Sequence, residues 1–525
     1  MSKLKSIRLK NLRSLKDTGD VELKPITILV GKNSVGKSTF LRTFPLLRQS
    51  CEKETRAPIL WYGNLVDFGD FGTALNKKTM SIDGDDYIEF SFNMELDSLI
   101  YYYRYKSIDN LEPKKINTNI SLRMREHNKS SYASQLKMDI FGNTIILDLN
   151  QNQEFEKISI NEIVFNKDYF KERGCTYEII QRKILPIPRL LKTIRIKEKK
   201  VEFLAESELF NDYLKENITR LCRKNTSSET IEHLIENIPW ASGTDIYNYF
   251  CNQNIIIGLA KNISQKGIDS TIFKEILCFF YLGLFENLVR IHNDELSSIF
   301  SDVRYLEPLR ATAQRYYRRQ ELAIDEIDSK GSNIAMFLDS LSAHERVSIN
   351  KILKDDFDIE LNVTKENGHL ALTIKNSDLK EATNIADLGV GYSQILPFII
   401  QLWSCIHRKK STRNNFLGFR GRQSNNSLFV IEQPELHLHP AYQSKISDVI
   451  CKINKDSRNY VNLIIETHSP HIIYRLGELI ELGEIDKESI QVLVFEESEN
   501  GTSIKKSIFD ENGRLNNWPI GFFQP

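Results

Sequence analysis

The amino-acid sequence predicts an α/β fold: a mixed sheet with flanking helices, an antiparallel β-lobe, and a helical insertion between the two halves of the sheet domain. Three patterns carry that expectation. The apolar run Ile26 to Val30 leads into Gly31-Lys32-Asn33-Ser34-Val35-Gly36-Lys37-Ser38, and Thr39-Phe40-Leu41-Arg42 then reads as the first turn of a helix. Residues 82–162 are strand-rich and alternate with period two. Residues 200–300 switch to apolar positions three or four apart, the spacing of a helix with one buried face. A chain of 525 residues exceeds what one ordinary core serves. The expected organisation is an N-terminal half over residues 1–165, a mainly helical insertion over 166–300 and a C-terminal half over 301–525.

Composition narrows the class. With 41% hydrophobic and 27% charged residues, the chain reads as a soluble globular protein. Its 70 basic and 70 acidic residues balance, so only local patches can speak for nucleic acid. The apolar runs Ile395 to Trp403 and Ile276 to Leu284 are too short or interrupted to span a bilayer, and Met1-Ser2-Lys3-Leu4-Lys5 lacks the apolar core of a signal peptide. Seven scattered cysteines without a C-x-x-C pair suit reduced thiols and argue against a cysteine zinc site. The expected location is cytoplasmic, with no membrane partner.

In chain order, Leu4, Ile7, Leu9, Leu12, Leu15, Val21 and Leu23 mark two short strands before the glycine loop. Strand, G-x-x-x-x-G-K-S, helix is the context a phosphate-binding loop requires. Gly36 and its neighbours let successive N–H groups face phosphate oxygens, Lys37 would reach the β- and γ-phosphates, and Ser38 would place its hydroxyl on Mg²⁺. Trp61 to Phe71 is loop-like, with Asn64 and Asp67 as its polar candidates. Tyr87 to Met94, Leu99 to Tyr105, Ile120 to Met124, Leu136 to Ile140 and Thr144 to Leu149 read as strands. Tyr101, Tyr102 and Tyr103 are better read as core than as a base-stacking surface. Phe203, Leu204, Leu209, Tyr213 and Leu214 open the helical block. Val303 to Leu306 returns as a strand. Arg315, Arg318 and Arg319, interleaved with Tyr316 and Tyr317, form a cationic stretch that Glu321, Asp325, Glu326 and Asp328 would neutralise. His407 to Arg413, with Arg420 and Arg422, is a second basic cluster able to meet phosphates.

Four later stretches fit the same nucleotide site. Gly389, Gly391 and Ser393 form a Gly-x-Gly-x-Ser turn at a helix start, which suits an anion. Ser427 to Ile431 is an apolar strand ending in Glu432, a carboxylate placed to hold Mg²⁺. Gln433-Pro434-Glu435-Leu436-His437-Leu438-His439-Pro440 follows. Asn462 to Ile465 is another buried strand, running into Glu466-Thr467-His468-Ser469-Pro470.

These motifs, with Asn11-Leu12-Arg13-Ser14-Leu15 at the start and Asn33 and Thr39 in the loop, resemble ABC-type ATPases of the RecF, SMC and OLD kind. The resemblance covers residues 1–160 and 300–525 and implies ATP and Mg²⁺ as cofactors. It makes Asn33, Gly36, Lys37, Ser38 and Thr39 the phosphate loop, and Gly389, Gly391 and Ser393 a degenerate signature loop that reaches the partner's γ-phosphate across a dimer. Glu432 becomes the Walker B acid and His468 the switch histidine. Two departures stand out: the Trp61–Phe71 segment has no glutamine, and the general-base position is Gln433. A glutamine orients water without deprotonating it, so slow hydrolysis is expected; Glu435 is the alternative base. His437 and His439 are read as part of a dimer-facing loop.

Glu432-Gln433-Pro434-Glu435-Leu436-His437-Leu438-His439-Pro440 and the tail Asn516 to Phe523 are similar to one bacterial OLD-like branch. The stretch after His468 is too short for a nuclease domain of ordinary size. The resemblance is therefore to stand-alone ATPase subunits of anti-phage systems, PtuA of Septu and retron systems first and the PARIS ATPase second. It implies a homodimer or higher oligomer through the nucleotide sites and a separate HNH nuclease of the PtuB kind. A reverse transcriptase with its DNA product would be a further partner in a retron setting. The runner-up is a DNA-binding RecF- or SMC-like repair or structural ATPase; a third reading is a scaffold that binds ATP without hydrolysing it.

Overall fold

A computed structural model describes residues 3–77, 86–97, 115–196, 199–204, 208–254, 256–322, 324–377, 381–407, 427–456, 461–498 and 501–518. The chain divides into two compact units, one of Met1–Lys10, Lys53–Leu60 and Asp70–Ser297, the other of Asn11–Glu52, Trp61–Gly69 and Ser298–Pro525. The strand expected over Leu99 to Tyr105 with its three tyrosines, the basic residues 408–426 and the tail beyond Trp518 lie outside the described residues.

In the first unit, period-two sequence becomes an antiparallel sheet. Its order is Ile163–Asn166, Phe155–Ile160, Asn143–Leu149, Ser130–Ile140, Lys115–His127, Ile88–Asp97 and the strand that begins at Lys3. Asn143–Leu149 alternates strictly between buried and half-buried positions, as one covered face requires. Apart from the short helix Lys167–Lys171, the described helices of this block begin at Glu208, later than the spacing predicts. Cys175–Ile180, Ile187–Ile196 and Lys199–Leu204 pair as a three-stranded antiparallel sheet, which takes in Phe203 and Leu204. A short apolar run is ambiguous between helix and strand, and the β-branched Thr193, Ile194, Ile196 and Val201 tip it to strand.

Five helices follow: Glu208–Leu221, Ser228–Glu236, Gly243–Cys251, Ile257–Lys266 and the long Thr271–Ser301. Ser227 and Ser242 cap two of them by accepting from Thr230 N and Asp245 N. His292 on the long helix is fully buried. Its Nδ1–H donates to Leu288 O at 2.7 Å, so its Nε2 accepts from Thr118 Oγ1 at 2.9 Å, on the strand Lys115–His127.

The second unit holds a mixed sheet in the order Val303–Leu306, Ser427–Glu432, Val461–Glu466, Ile26–Gly31, Ile490–Ser498, Gly501–Phe509, Leu515–Asn516. The first five strands are parallel and the last two antiparallel. Every residue of Ile26–Gly31 is buried, as expected for a parallel strand covered on both faces. Ile26, Ile28, Val30, Phe429, Ile431, Leu463 and Ile465 share one core with Phe398, Ile399 and Leu402 of the helix Val390–His407. The alternate face receives the helix Lys37–Glu52, whose Phe40 lies against Phe495. A smaller antiparallel sheet of Glu360–Glu366, His369–Lys375, Tyr317–Arg318 and Thr383–Asn384 lies in the same unit. The unit also contains Ala343–Phe357, whose start carries a Ser342–Glu345 capping box. Among the described residues no helix is long and apolar enough to cross a membrane.

Burial pushes the His292 pKa down to about 4. The unfolded chain, titrating near 6.5, takes up this proton first, so the stabilisation is present above about pH 6.5 and is lost as pH falls toward 4. The gap is worth ~3 kcal/mol. Urea unfolding followed from pH 7 to pH 4.5 is expected to show a steeper loss of stability in wild type than in His292→Gln; equal slopes would reject this assignment.

Candidate functional site

The glycine-rich loop expected to bind phosphate is shaped by two glycines at positive φ. Gly31 ends its strand at φ +151°, and a Cβ there would lie 2.4 Å from Phe495 O on the neighbouring strand. Gly36 has φ +102°, and its Cβ would lie 2.6 Å from Ser14 Oγ. Between them Lys32, Asn33 and Ser34 are exposed. Phe40 N–H donates to Gly36 O at 2.9 Å, and the helix Lys37–Glu52 begins there with its N-terminal amides beside the loop. Thr39 is half-buried. Lys37 is buried; its Nζ donates to Gly31 O at 3.0 Å and Lys32 O at 2.7 Å and stands 3.7 Å from Glu466 Oε1. Burial pushes the lysine pKa down, against the opposing pull of Glu466.

Two parallel strands end in glutamates side by side: Glu432 is the register partner of Glu466. Both are buried, and their environments differ. Glu432 receives Arg42 in two-pronged fashion, Nε at 2.7 Å on Oε1 and Nη2 at 2.8 Å on Oε2, and the Tyr305 hydroxyl at 2.6 Å. Its backbone oxygen accepts from Arg310 Nη2 at 3.2 Å. Glu466 Oε1 accepts from Ser38 Oγ at 3.0 Å, while Oε2 is buried without a hydrogen-bond partner. Burial pushes the Glu466 pKa up and the Glu432 charge adds to the rise; Ser38, Lys37 and Arg42 oppose it. Ser38 and Glu432 were expected to share the metal; the structure brings Ser38 to Glu466 and gives Glu432 to Arg42. Sequence reasoning missed Glu466, Arg42, Tyr305 and Arg310. The signal for Glu466 was present, because Leu463-Ile464-Ile465-Glu466 repeats the pattern of Phe429-Val430-Ile431-Glu432.

The turn after Glu432 joins the other predicted residues. Gln433 sits at φ +43°, and its N–H donates to Glu466 O at 2.7 Å. Glu435 is buried; its Oε1 accepts from His468 N at 2.7 Å and its Oε2 has no hydrogen-bond partner. Burial pushes the Glu435 pKa up. The His468 ring is half-buried with Nε2 unpartnered; burial lowers its pKa and the Lys37 charge lowers it further. His437 and His439 are exposed, and His439 Nδ1 accepts from Ala441 N at 3.3 Å at the start of the helix Pro440–Asp456.

Gly389, Gly391 and Ser393 open the helix Val390–His407. Gly389 is exposed with open space where a Cβ would be, and a Cβ on Gly391 would stand 3.4 Å from His437 O. The Ser393 hydroxyl donates to Val390 O at 2.7 Å. The cationic stretch is neutralised by other acids than those following it: Arg315 pairs with Asp387, and Arg319 with Asp339 at 3.2 Å. Glu326 instead pairs with Arg48 and Arg304, and Asp328 caps the Lys330–Asn333 turn. Asn64 and Asp67 are exposed, and their segment docks on Gln49, whose Oε1 accepts from Leu65 N and Val66 N.

The residues fit ATP with Mg²⁺. Glu435 Oε2, Glu466 Oε2 and His468 Nε2 are buried polar atoms left open at the strand ends beside the loop. Among the described residues no group of three or more His, Cys, Asp or Glu forms a metal cage, and Mg²⁺ is ordinarily held by one or two carboxylates, phosphate oxygens and water. Residues 2–473 match the AAA ATPase domain family (AAA_15). The chain belongs to that family. Residues 485–524 of this AAA ATPase match DUF3696, described as a protein of unknown function. No curated protein matches. Two solved structures span most of the chain. The Smc head domain from Pyrococcus furiosus, bound to the C-terminal domain of ScpA, is 10% identical, with 96% of each chain covered and a TM-score of 0.35. The SMC head domain from Thermotoga maritima is 9% identical, with 96% of this chain and 98% of that one covered and a TM-score of 0.32.

The geometry sets an expectation for stability. Arg42→Ala leaves Glu432 buried with the Tyr305 hydroxyl as its remaining side-chain donor, a loss of about 3 kcal/mol. Arg42→Ala/Glu432→Gln is expected to recover part of that loss in urea unfolding at pH 7; a double variant as unstable as the sum of the single ones would contradict the pairing.

Proposed function

We propose that this AAA ATPase is a cytoplasmic nucleotide switch. In this reading two copies sandwich ATP, and the nucleotide state sets how they associate. That association restrains or releases a separate HNH nuclease in a bacterial anti-phage system. The observation that carries the nucleotide reading is the meeting of Lys37, Ser38 and two strand-end glutamates at one glycine loop. Lys37 would bind the β- and γ-phosphates, and the amides of residues 36–39 would hold their oxygens. Mg²⁺, when bound with ATP, would offset phosphate charge.

Hydrolysis is slow in this reading because Gln433 has no carboxylate to take a proton from water. Its backbone, anchored on Glu466 O, aims the turn toward the strand ends. Glu435, with its raised pKa and open Oε2, is the group able to act as base. A switch needs ATP to favour one arrangement over another by a few kcal/mol, and slow turnover meets that need. The exposed Gly389–Val390 turn supports contact with a second copy, in the way a signature loop meets a partner's phosphate. The nuclease partner is part of this reading through the likeness of residues 432–440 to one OLD-like branch, whose stand-alone ATPase subunits work with a separate nuclease.

Lys37→Ala is expected to weaken ATP binding roughly 10- to 100-fold, the worth of one or two charge-assisted hydrogen bonds, and to abolish phage protection. Intact binding and protection would end this reading. In single-turnover assays Gln433→Glu is expected to hydrolyse ATP at least about tenfold faster than wild type, because it gains a general base. Co-purification with the products of neighbouring genes, with and without ATP, tests the partner. A nuclease, alone or with a reverse transcriptase and its DNA, supports the switch; retention of DNA alone moves the assignment to a RecF- or SMC-like repair ATPase.

A further inference from the structure

A charge cluster away from the glycine loop joins the loop helix to the helix Val390–His407. Arg48 and Arg304 are both buried, and Glu326 lies between them, pairing with each through a different carboxylate oxygen. Arg48 belongs to the loop helix Lys37–Glu52, and its other contacts are Val303 O at 2.7 Å and Glu52 Oε1 at 2.9 Å. Arg304 belongs to the edge strand Val303–Leu306 and stands 3.9 Å from Asp302. Glu326 itself lies in residues 307–333, whose regular structure among the described residues is the two-residue strand Tyr317–Arg318. That stretch is pinned at its base. Glu307 N donates to Ser329 O at 2.8 Å, Ala311 N to Lys330 O at 2.7 Å, and Asn333 Nδ2 to Glu326 O at 3.0 Å. The next residue, Ile327, donates its N–H to Gln401 Oε1 at 2.9 Å, on the helix Val390–His407. A Cβ on Gly331 would stand 2.7 Å from Pro397 of that helix, so the stretch meets it at two places one turn apart.

We infer that Glu326 is a positioning residue for ATP turnover, clamping the loop helix to the helix Val390–His407 through residues 307–333. Resting on the nucleotide-binding reading above, this adds a residue that meets neither ATP nor cation. Arg48 and Gln401 each lie eleven residues beyond the first residue of their helix, about 16 Å along the axis. Both helices are thus held at the same depth, and a tilt about either contact moves the helix start. Buried ion pairs add little net stability over well-packed apolar residues. A carboxylate shared by two guanidinium groups instead fixes directions that apolar packing leaves free. In a two-copy sandwich each copy offers its glycine loop to one nucleotide and its Gly389–Ser393 turn to the other. Both sites close together only if these two ends of one chain keep a fixed separation. Phosphate binding draws on Lys37 and the loop amides alone, within one short segment, so it does not need that separation. Hydrolysis does, because a misplacement of about 1 Å costs on the order of 10²-fold in rate.

The test measures ATP affinity and ATP turnover of the full chain, with urea unfolding as the check on folding. Glu326→Gln keeps the side chain's size and removes the charge that the two arginines share. It is expected to lower kcat roughly 10- to 100-fold, with KM and ATP affinity within about twofold of wild type. Gln401→Met removes the acceptor of Ile327 N and is expected to lower kcat in the same way, more mildly because the arginines keep their partner. Gln401→Glu retains that acceptor, and since Gln401 Nε2 has no hydrogen-bond partner it gives up no bond; kcat near wild type is expected. A merely structural role predicts the reverse order, because Gln401→Glu buries a carboxylate and Gln401→Met does not. An unchanged kcat in folded Glu326→Gln overturns the inference. So does ATP affinity that falls in step with kcat, or Gln401→Glu slower than Gln401→Met. If Glu326→Gln does not fold, the two Gln401 variants decide alone: a slow Met variant beside a Glu variant near wild type supports the inference, and any other order overturns it. A wild type that binds ATP without hydrolysing it also overturns it. A wild type that binds no ATP overturns the nucleotide reading itself, and the two failures are thereby told apart.

Discussion

Two carboxylates, Glu432 and Glu466, are buried next to each other at the ends of adjacent parallel strands. Like charges in that position repel, and each alone would be costly to bury. The surroundings answer this with cations and donors drawn from distant segments: Lys37, Ser38 and Arg42 from the loop helix, Tyr305 from an outer strand, and Arg310 from the loop after it. The loop helix is therefore held on the sheet twice over. Phe40 and Phe44 pack its apolar side, and Arg42 and Lys37 hold its start by charge. Any movement of the lysine or the serine toward a phosphate redistributes charge around the two glutamates.

The strand, glycine loop and helix start were legible from sequence because their determinants are local: a buried strand, two glycines at positive φ, and a helix start within a few residues. The parallel strands were legible for a similar reason, as short apolar runs covered on both faces. The partner of Ser38 was not. It lies 428 residues away, and it faces the hydroxyl only because Val461–Glu466 is inserted between the loop strand and Ser427–Glu432. Strand order is a tertiary fact that alternation does not encode. The same applies to Arg315 and Arg319, whose acids, Asp387 and Asp339, are remote in sequence, while the nearby Glu326 is drawn to Arg48 and Arg304. At residues 200–204 the local pattern itself was ambiguous, and β-branched neighbours decided it.

The turn after Glu432 shows how one backbone constraint links three side chains. Gln433 takes a left-handed conformation, and its N–H is satisfied by the carbonyl of Glu466. That bend carries Glu435 under the next turn, where it accepts the N–H of His468. Glutamine, glutamate and histidine are thus linked through backbone amides, those of Gln433 and His468. A shift of the His468 turn would pull on Glu435 and, through the strand end, on Gln433.

The two matched families meet inside one sheet. Residues 485–524 supply Ile490–Ser498, which pairs along the whole loop strand from Ile26 to Gly31. Phe495 O is the atom that forbids a side chain at Gly31, and the Thr502 hydroxyl donates to Val35 O at 2.7 Å. Gly477, just beyond the first match, is in backbone contact with Gly513 in the second. A recombination event that exchanged the C-terminal segment for an unrelated one would strip the loop strand of a neighbour and remove the wall that shapes its glycine. The C-terminal segment is thus a structural part of the loop it flanks: the glycine turn keeps its shape only while that neighbouring strand is in place.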